Sequence, residues 1–368
     1  MLNLKPAIVR LFLFMKQIHL FFSNTGEYTP VIIPYTAKNK FYLLPELNCK
    51  NSMPFNSNRF LYPEMSVLGI DEIKRLSTNY SVSSTRQRIL FQADHSFEEY
   101  RQKFDIIQKH LQRGDIYEVN FCIEFYAENV IINPYATYLN VLERLHQPFS
   151  AFVRWGDWFL ITASPERFLQ KTGNKIISQP IKGTAPRGKN AKEDQWLKEN
   201  LKNSVKDISE NIMIVDLVRN DLSKIAKRDS VKVSGLCEVY TFESVHQMIS
   251  TVEAELKDDI CFDHIIEATF PMGSMTGAPK FSAMKIIDNL EKSSRGLFSG
   301  SVGYLDQNGN FDLNVVIRAI QYNAITGYLS VWAGGAITVH TTAEKEWEEC
   351  HIKANSVIQI LNGIIDGR

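Results

Sequence analysis

The 368-residue sequence predicts an α+β fold, with large antiparallel sheets and helices packed outside them. Three observations lead there. The strands come in hairpin blocks joined by tight turns. The helical stretches lie between those blocks. The strict β-α-β alternation of a parallel doubly wound sheet is missing.

The elements follow in order. The opening segment MLNLKPAIVRLFLFMKQIHLFF reads as a buried strand rather than a signal peptide, because Lys5, Arg10 and Lys16 interrupt its apolar runs. Residues 1–76 are strand-like and turn-rich, as in VIIPY and KFYLLPEL. The polar run STNYSVSSTRQR makes residues 77–94 a linker, which leaves 95–368 as the main domain. Ser96 and Glu99 have the spacing of a capping box, Phe97, Tyr100, Phe104, Ile107 and Leu111 recur with a helical period, and Gly114 ends that helix. A second helix is expected near Pro134–His146. FSAFVRW, WFLITAS, RFLQK and KIIS then spell two hairpins. Two helices cover Ala191–Ala226. SVGYL, FDLNVVIRAIQY and YLSVWAGG return to antiparallel strands, and a last helix is expected from Ala343 to Ile364.

Composition narrows the function. There are 41 basic and 41 acidic residues, a net charge of zero, which argues against binding nucleic acid. Apolar residues at 44% and charged residues at 22% exclude a disordered or collagen-like chain. The five cysteines are scattered without a C-x-x-C pair, as in a reduced, cytoplasmic protein. No apolar run reaches the ~20 residues of a membrane span.

Seven segments carry possible chemistry. Lys182 leaves an apolar strand between Pro180 and Gly183; it reads either as an exposed turn lysine or as a desolvated amine of lowered pKa. Glu166, in SPERF on the preceding hairpin, is its acid partner or a surface ion pair. Glu210 opens ENIMIVDLVRND, a run apolar enough to be buried, where an acid needs a cation or a metal. Glu346, Glu349 and Lys353 share one face of the last helix, which by itself reads as a solvated stripe. GSMTGAPK (273–280) leads small residues into a helix N-terminus, a tight turn or an anion cradle. Arg318 shares a strand face with Val316 and Ile320 and needs a carboxylate there. His246 on an apolar strand is a satisfied core residue or a catalytic one.

Together, in this order, the segments resemble one family. GDIYEVNF (114–121), SPERF (164–168), PIKGT (180–184), ENIMIVDLVRND (210–221), VHQMIS (245–250), FPMGSMTGAPK (270–280), GYL (303–305), IRAI (317–320) and AGGA (333–336) resemble the chorismate-utilising enzymes, over roughly residues 95–364. PIKGT resembles the aminodeoxychorismate synthase component I branch in particular, since related synthases usually have alanine in place of this lysine.

The resemblance implies a layered α/β/β/α sandwich and a chorismate-binding catalytic domain at 95–368. It implies amination of chorismate to 4-amino-4-deoxychorismate, on the route to para-aminobenzoate and folate. Lys182 would be the nucleophile, Glu166 the acid at the departing hydroxyl, and His246 would line the ring near it. Mg²⁺ would be held by Glu210 and Glu349. Arg318 and Tyr304 would hold the enolpyruvyl carboxylate, with backbone N–H groups near Gly335, while Ser274 and Thr276 would lie near the ring carboxylate. Glu118 departs from the branch, which usually has glutamine there; water-adding members have lysine. The sequence has no G-x-C-x-G nucleophile turn, so ammonia is expected from a separate glutamine amidotransferase subunit. The alternatives are anthranilate synthase component I and an inactive chorismate-binding regulatory subunit.

Overall fold

A computed structural model describes residues 17–21, 28–33, 42–43, 64–67, 70–80, 88–306 and 308–366. The N-terminal part contributes β1 (Gln17–Phe21), β2 (Tyr28–Ile33), β3 (Tyr42–Leu43), β4 (Glu64–Val67) and α1 (Ile70–Asn79). Next come β5 (Ile89–Ala93), α2 (Phe97–Arg113), β6 (Glu118–Ala127), α3 (Pro134–Leu145), β7 (Phe149–Trp155), β8 (Trp158–Ser164), β9 (Arg167–Thr172), β10 (Lys175–Gln179) and β11 (Ile181–Pro186). α4 (Ala191–Lys202), α5 (Val205–Ser223), β12 (Lys232–Thr241), β13 (Val245–Glu255), α6 (Phe262–Thr269), β14 (Gly277–Ala278) and α7 (Lys280–Leu290) follow. The chain closes with β15 (Ser301–Asp306), β16 (Phe311–Asn314), β17 (Ala319–Asn323), β18 (Tyr328–Ile337), α8 (Ala343–Ile358) and β19 (Gly363–Ile365).

Two sheets organise these elements, as the α+β reading expects. A ten-stranded sheet runs β19-β5-β6-β18-β17-β8-β7-β1-β4, with β14 also on β6. A nine-stranded sheet runs β11-β13-β10-β9-β16-β15-β2-β3, with β12 also on β13. Among the described residues, only β1 with β4 and β5 with β19 pair in parallel; the other pairs are antiparallel. Tyr100, Phe104, Tyr135, Tyr138, Ala354 and Val357 from α2, α3 and α8 pack on Phe121 and Phe125 of the first sheet. Val153 and Leu160 of the first sheet meet Ile32 and Val302 of the second. No helix among the described residues is long and apolar enough to cross a membrane.

The helix read at 97 has its full capping box: the Glu99 amide donates to Ser96 Oγ at 3.3 Å and the Ser96 amide to Glu99 Oε2 at 2.8 Å. Both predicted hairpins form. Other expectations change. Residues 1–16 and 81–87 lie outside the described residues. The remainder of the stretch read as linker is partly regular structure, because Phe91 is buried and β5 pairs with both β6 and β19. The last helix stops at Ile358, and a short 3-10 turn ends at Asn362 in the left-handed conformation, before β19. Arg318 does not lie in a strand with Val316 and Ile320. β16 belongs to the second sheet and β17 to the first, so residues 315–318 carry the chain between sheets, and Arg318 turns it at φ 52°.

Candidate active site

The site forms where β6 and β18 of the first sheet meet β11 of the second, closed by α5, α8 and the 273–276 turn. Lys182 is positioned by its neighbour. Gly183 has φ +85°, and a Cβ there would stand 2.9 Å from Asp207 and Leu201, so only glycine lets β11 lie this close to α4 and α5. Lys182 is buried, and its Nζ donates to Glu118 Oε1 at 2.7 Å. Glu118 is fully buried at the start of β6, and its Oε2 has no partner. The sequence reading of a lysine with lowered pKa is corrected here. Burial alone favours the neutral amine, but the carboxylates of Glu118, Glu210 and Glu166 outweigh it and hold the pKa above the usual lysine value. The resting Lys182 is an ammonium.

Glu166 follows β8 and is buried. Burial lifts its pKa to about 7, against the opposing pull of the Ser274 hydroxyl and Lys182. Ser274 thus meets Glu166 within the protein. Its turn is pinned to β6: Asn120 Nδ2 donates to Ser274 O at 3.0 Å and the Asn120 amide to Thr276 O at 2.8 Å. The expectation for Thr276 changes, because its buried hydroxyl donates to Met272 O at 3.1 Å inside the turn rather than standing open. The Met275 and Thr276 amides also bond within this turn.

A second cluster of acids adjoins the lysine. Glu210 on α5 and Glu346 and Glu349 on α8 surround Lys206 Nζ at 3.8, 3.5 and 3.8 Å. Glu346 has 1% side-chain exposure, so the solvated-stripe reading of this helix face is wrong for it. Burial raises Glu210 and Glu346 to about 7. Burial raises Glu349 too, but Lys353 at 2.7 Å and Lys206 bring it below the ordinary value. Glu210 Oε1 and both Glu346 oxygens are buried without a hydrogen-bond partner. Gly335 on β18 makes room for them, since a Cβ there would lie 2.1 Å from Glu346 Oε2. Among the described residues, no three His, Cys, Asp or Glu side chains are gathered closely enough to hold a metal as they stand.

Two other candidates are placed differently from expectation. Arg318 Nη1 donates to Lys353 O at 2.7 Å and Ser356 Oγ at 2.6 Å, on α8 rather than on a carboxylate. Both His246 ring nitrogens are engaged, with Thr241 Oγ1 and Asp194 Oδ1 at 3.0 Å each. Asp194 is itself gripped by Arg187 at 2.8 and 2.9 Å. His246 therefore serves this network and has no nitrogen left for a departing hydroxyl. Tyr304 stands on β15 opposite Asp312.

The chorismate binding enzyme family matches residues 55–359. The chain belongs to that family. It is 39% identical over 271 residues to aminodeoxychorismate synthase component 1 of Escherichia coli, covering 74% of this chain and 59% of that protein. It is 40% identical over 287 residues to the chloroplastic aminodeoxychorismate synthase of Arabidopsis thaliana, covering 76% and 31%. The crystal structure of anthranilate synthase component I from Streptococcus pneumoniae matches with a TM-score of 0.66 at 27% identity, covering 78% of this chain and 65% of that one. The chain thus spans about three-fifths or less of these curated relatives.

In this chorismate binding enzyme the sequence reading left three charged residues of the site without a role. Glu346 lies in line with Ala343, Cys350, Ala354 and Val357, all buried, so the helical period already marked it as an inward acid. Lys353, read with Glu349 as part of the stripe, donates to Gly334 O at 2.8 Å. Lys206 is one helical turn before Glu210, an i,i+4 pair visible in the sequence.

Proposed function

We propose that this chain aminates chorismate at C4, giving 4-amino-4-deoxychorismate, with ammonia from a separate glutamine amidotransferase subunit and in a cytoplasmic setting. The observation that carries the reading is the buried Lys182 held at 2.7 Å by Glu118, beside the buried carboxyl of Glu166, which burial pushes up to about 7. The aminodeoxychorismate synthases among its relatives support it. Anthranilate synthase is the second reading, favoured by the structural neighbour.

Lys182 must shed its proton to attack, and Glu118 is the carboxylate in contact with it, at 2.7 Å. The lone pair of the Lys182 amine adds to C2 of the ring, the double bond shifts, and the C4–O bond breaks as Glu166 gives its proton to the oxygen, so water leaves. Ammonia then adds at C4, the double bond returns, the C2–N bond breaks to release Lys182, and the proton shed by the new C4 ammonium returns to Glu166. Two displacements replace one difficult substitution.

Mg²⁺ is the cofactor that the resemblance implies, and the residues fit it. The buried oxygens of Glu210 and Glu346, which accept no hydrogen bond, are the donors a hard cation takes. Glu210 and Glu349 would hold it, with Glu346 beside them. When bound, it withdraws electron density from the ring through the substrate's carboxylate.

The test is product analysis. With chorismate, Mg²⁺ and ammonium, the protein yields 4-amino-4-deoxychorismate, which an added lyase converts to para-aminobenzoate. Fluorescent anthranilate formed without a lyase assigns the chain to the second reading instead.

A further inference from the structure

We propose that Lys206 is a built-in counter-cation of the acid cluster, which holds Glu210, Glu346 and Glu349 together when no divalent cation is bound and gives way when one enters; this rests on the reading of those acids as a cation site. The geometry is unusual among the protein's ion pairs. Lys206 Nζ stands 3.5–3.8 Å from an oxygen of each of three carboxylates. Charge-assisted N–H···O bonds close to about 2.7–2.9 Å. Lys182 on Glu118 and Lys353 on Glu349 do so, both at 2.7 Å. Lys206 therefore sits centrally among the acids without closing onto any of them.

The acids need a central charge. Glu346 is almost wholly buried and neither of its oxygens accepts a hydrogen bond. Uncompensated buried carboxylates repel one another and are costly. Lys353 serves Glu349 from the side, which leaves Lys206 as the cation within ion-pair reach of Glu210 and Glu346 among the described pairs.

The same residue is built to leave. The Lys206 side chain is 50% exposed, against 10% for Lys182. Its four-carbon stem allows the ammonium to swing into water with small desolvation change. An ammonium and a divalent cation cannot share the space between three carboxylates, because like charges at that separation repel strongly. Binding of one is thus linked to departure of the other, and removing the ammonium must strengthen binding of the metal.

The experiment is calorimetric titration of Mg²⁺ into the full chain, without chorismate, for the parent, Lys206→Met and Lys206→Arg. Lys206→Met, which keeps the stem and deletes the charge, should bind Mg²⁺ about tenfold more tightly or better, a coupling within the usual range. Lys206→Arg should stay near the parent. Melting of the metal-free proteins gives a second readout: Lys206→Met melts lower than the parent, and saturating Mg²⁺ raises it by more. Unchanged or weaker Mg²⁺ binding by a folded Lys206→Met overturns the proposal while leaving the cation site in place. Lack of Mg²⁺ binding by every variant overturns the cation reading itself, and the counter-cation role falls with it.

Discussion

Replacing Lys182 by alanine stops formation of the aminated product, lowering the rate by roughly 10³-fold or more, as loss of a nucleophile does in other covalent enzymes. The reason lies in the geometry: the amine of Lys182 on β11 donates to Glu118 at 2.7 Å, and Glu166 supplies the acid beside it. The substitution has a structural cost as well. It strands Glu118 as a buried carboxylate, which costs about 3–5 kcal/mol. A double variant, Lys182→Met with Glu118→Gln, removes both charges and keeps the fold by circular dichroism. It too forms no product, which separates lost chemistry from lost structure. A folded Lys182 variant that makes the product at the parental rate contradicts the nucleophile role.

The second large effect belongs to Glu166. Burial raises its pKa to about 7, so the carboxyl is protonated below that pH and ionised above it. Only the protonated form can hand a proton to the departing hydroxyl. The rate should therefore fall as pH rises through about 7, approaching tenfold per pH unit well above it. Glu166→Gln removes this descending limb and lowers the rate by about 10²–10⁴-fold, the usual worth of a positioned general acid. Persistence of the same limb in a folded Glu166→Gln protein assigns it to another group.

Much of the fold is local and can be read from the sequence. The Ser96–Glu99 box, the hairpins around residues 156 and 173 and the paired helices after Ala191 depend on neighbours in the chain, and each forms. The misses come from long-range contacts. Arg318 looks like a strand residue because Val316 and Ile320 flank it, yet the strand breaks there to cross between sheets. Lys182 looks like an amine neutralised by burial, yet its partner comes from β6, 64 residues away, and reverses the sign of the shift. Glu346 looks solvated beside its charged neighbours, yet the approach of β18, made possible by Gly335, buries it. In each case the surroundings of the side chain are set by a segment far off in sequence.

The proposed chemistry requires Lys182 to bond covalently to the ring. The most direct measurement is intact-protein and peptide mass spectrometry after incubation with chorismate and Mg²⁺ in the absence of any ammonia source. The expected result is a mass gain of chorismate less one water, located on the peptide bearing Lys182 and discharged when ammonium is added. Turnover to the aminated product on adding ammonium, with no such adduct on Lys182 at any time under trapping conditions, contradicts it.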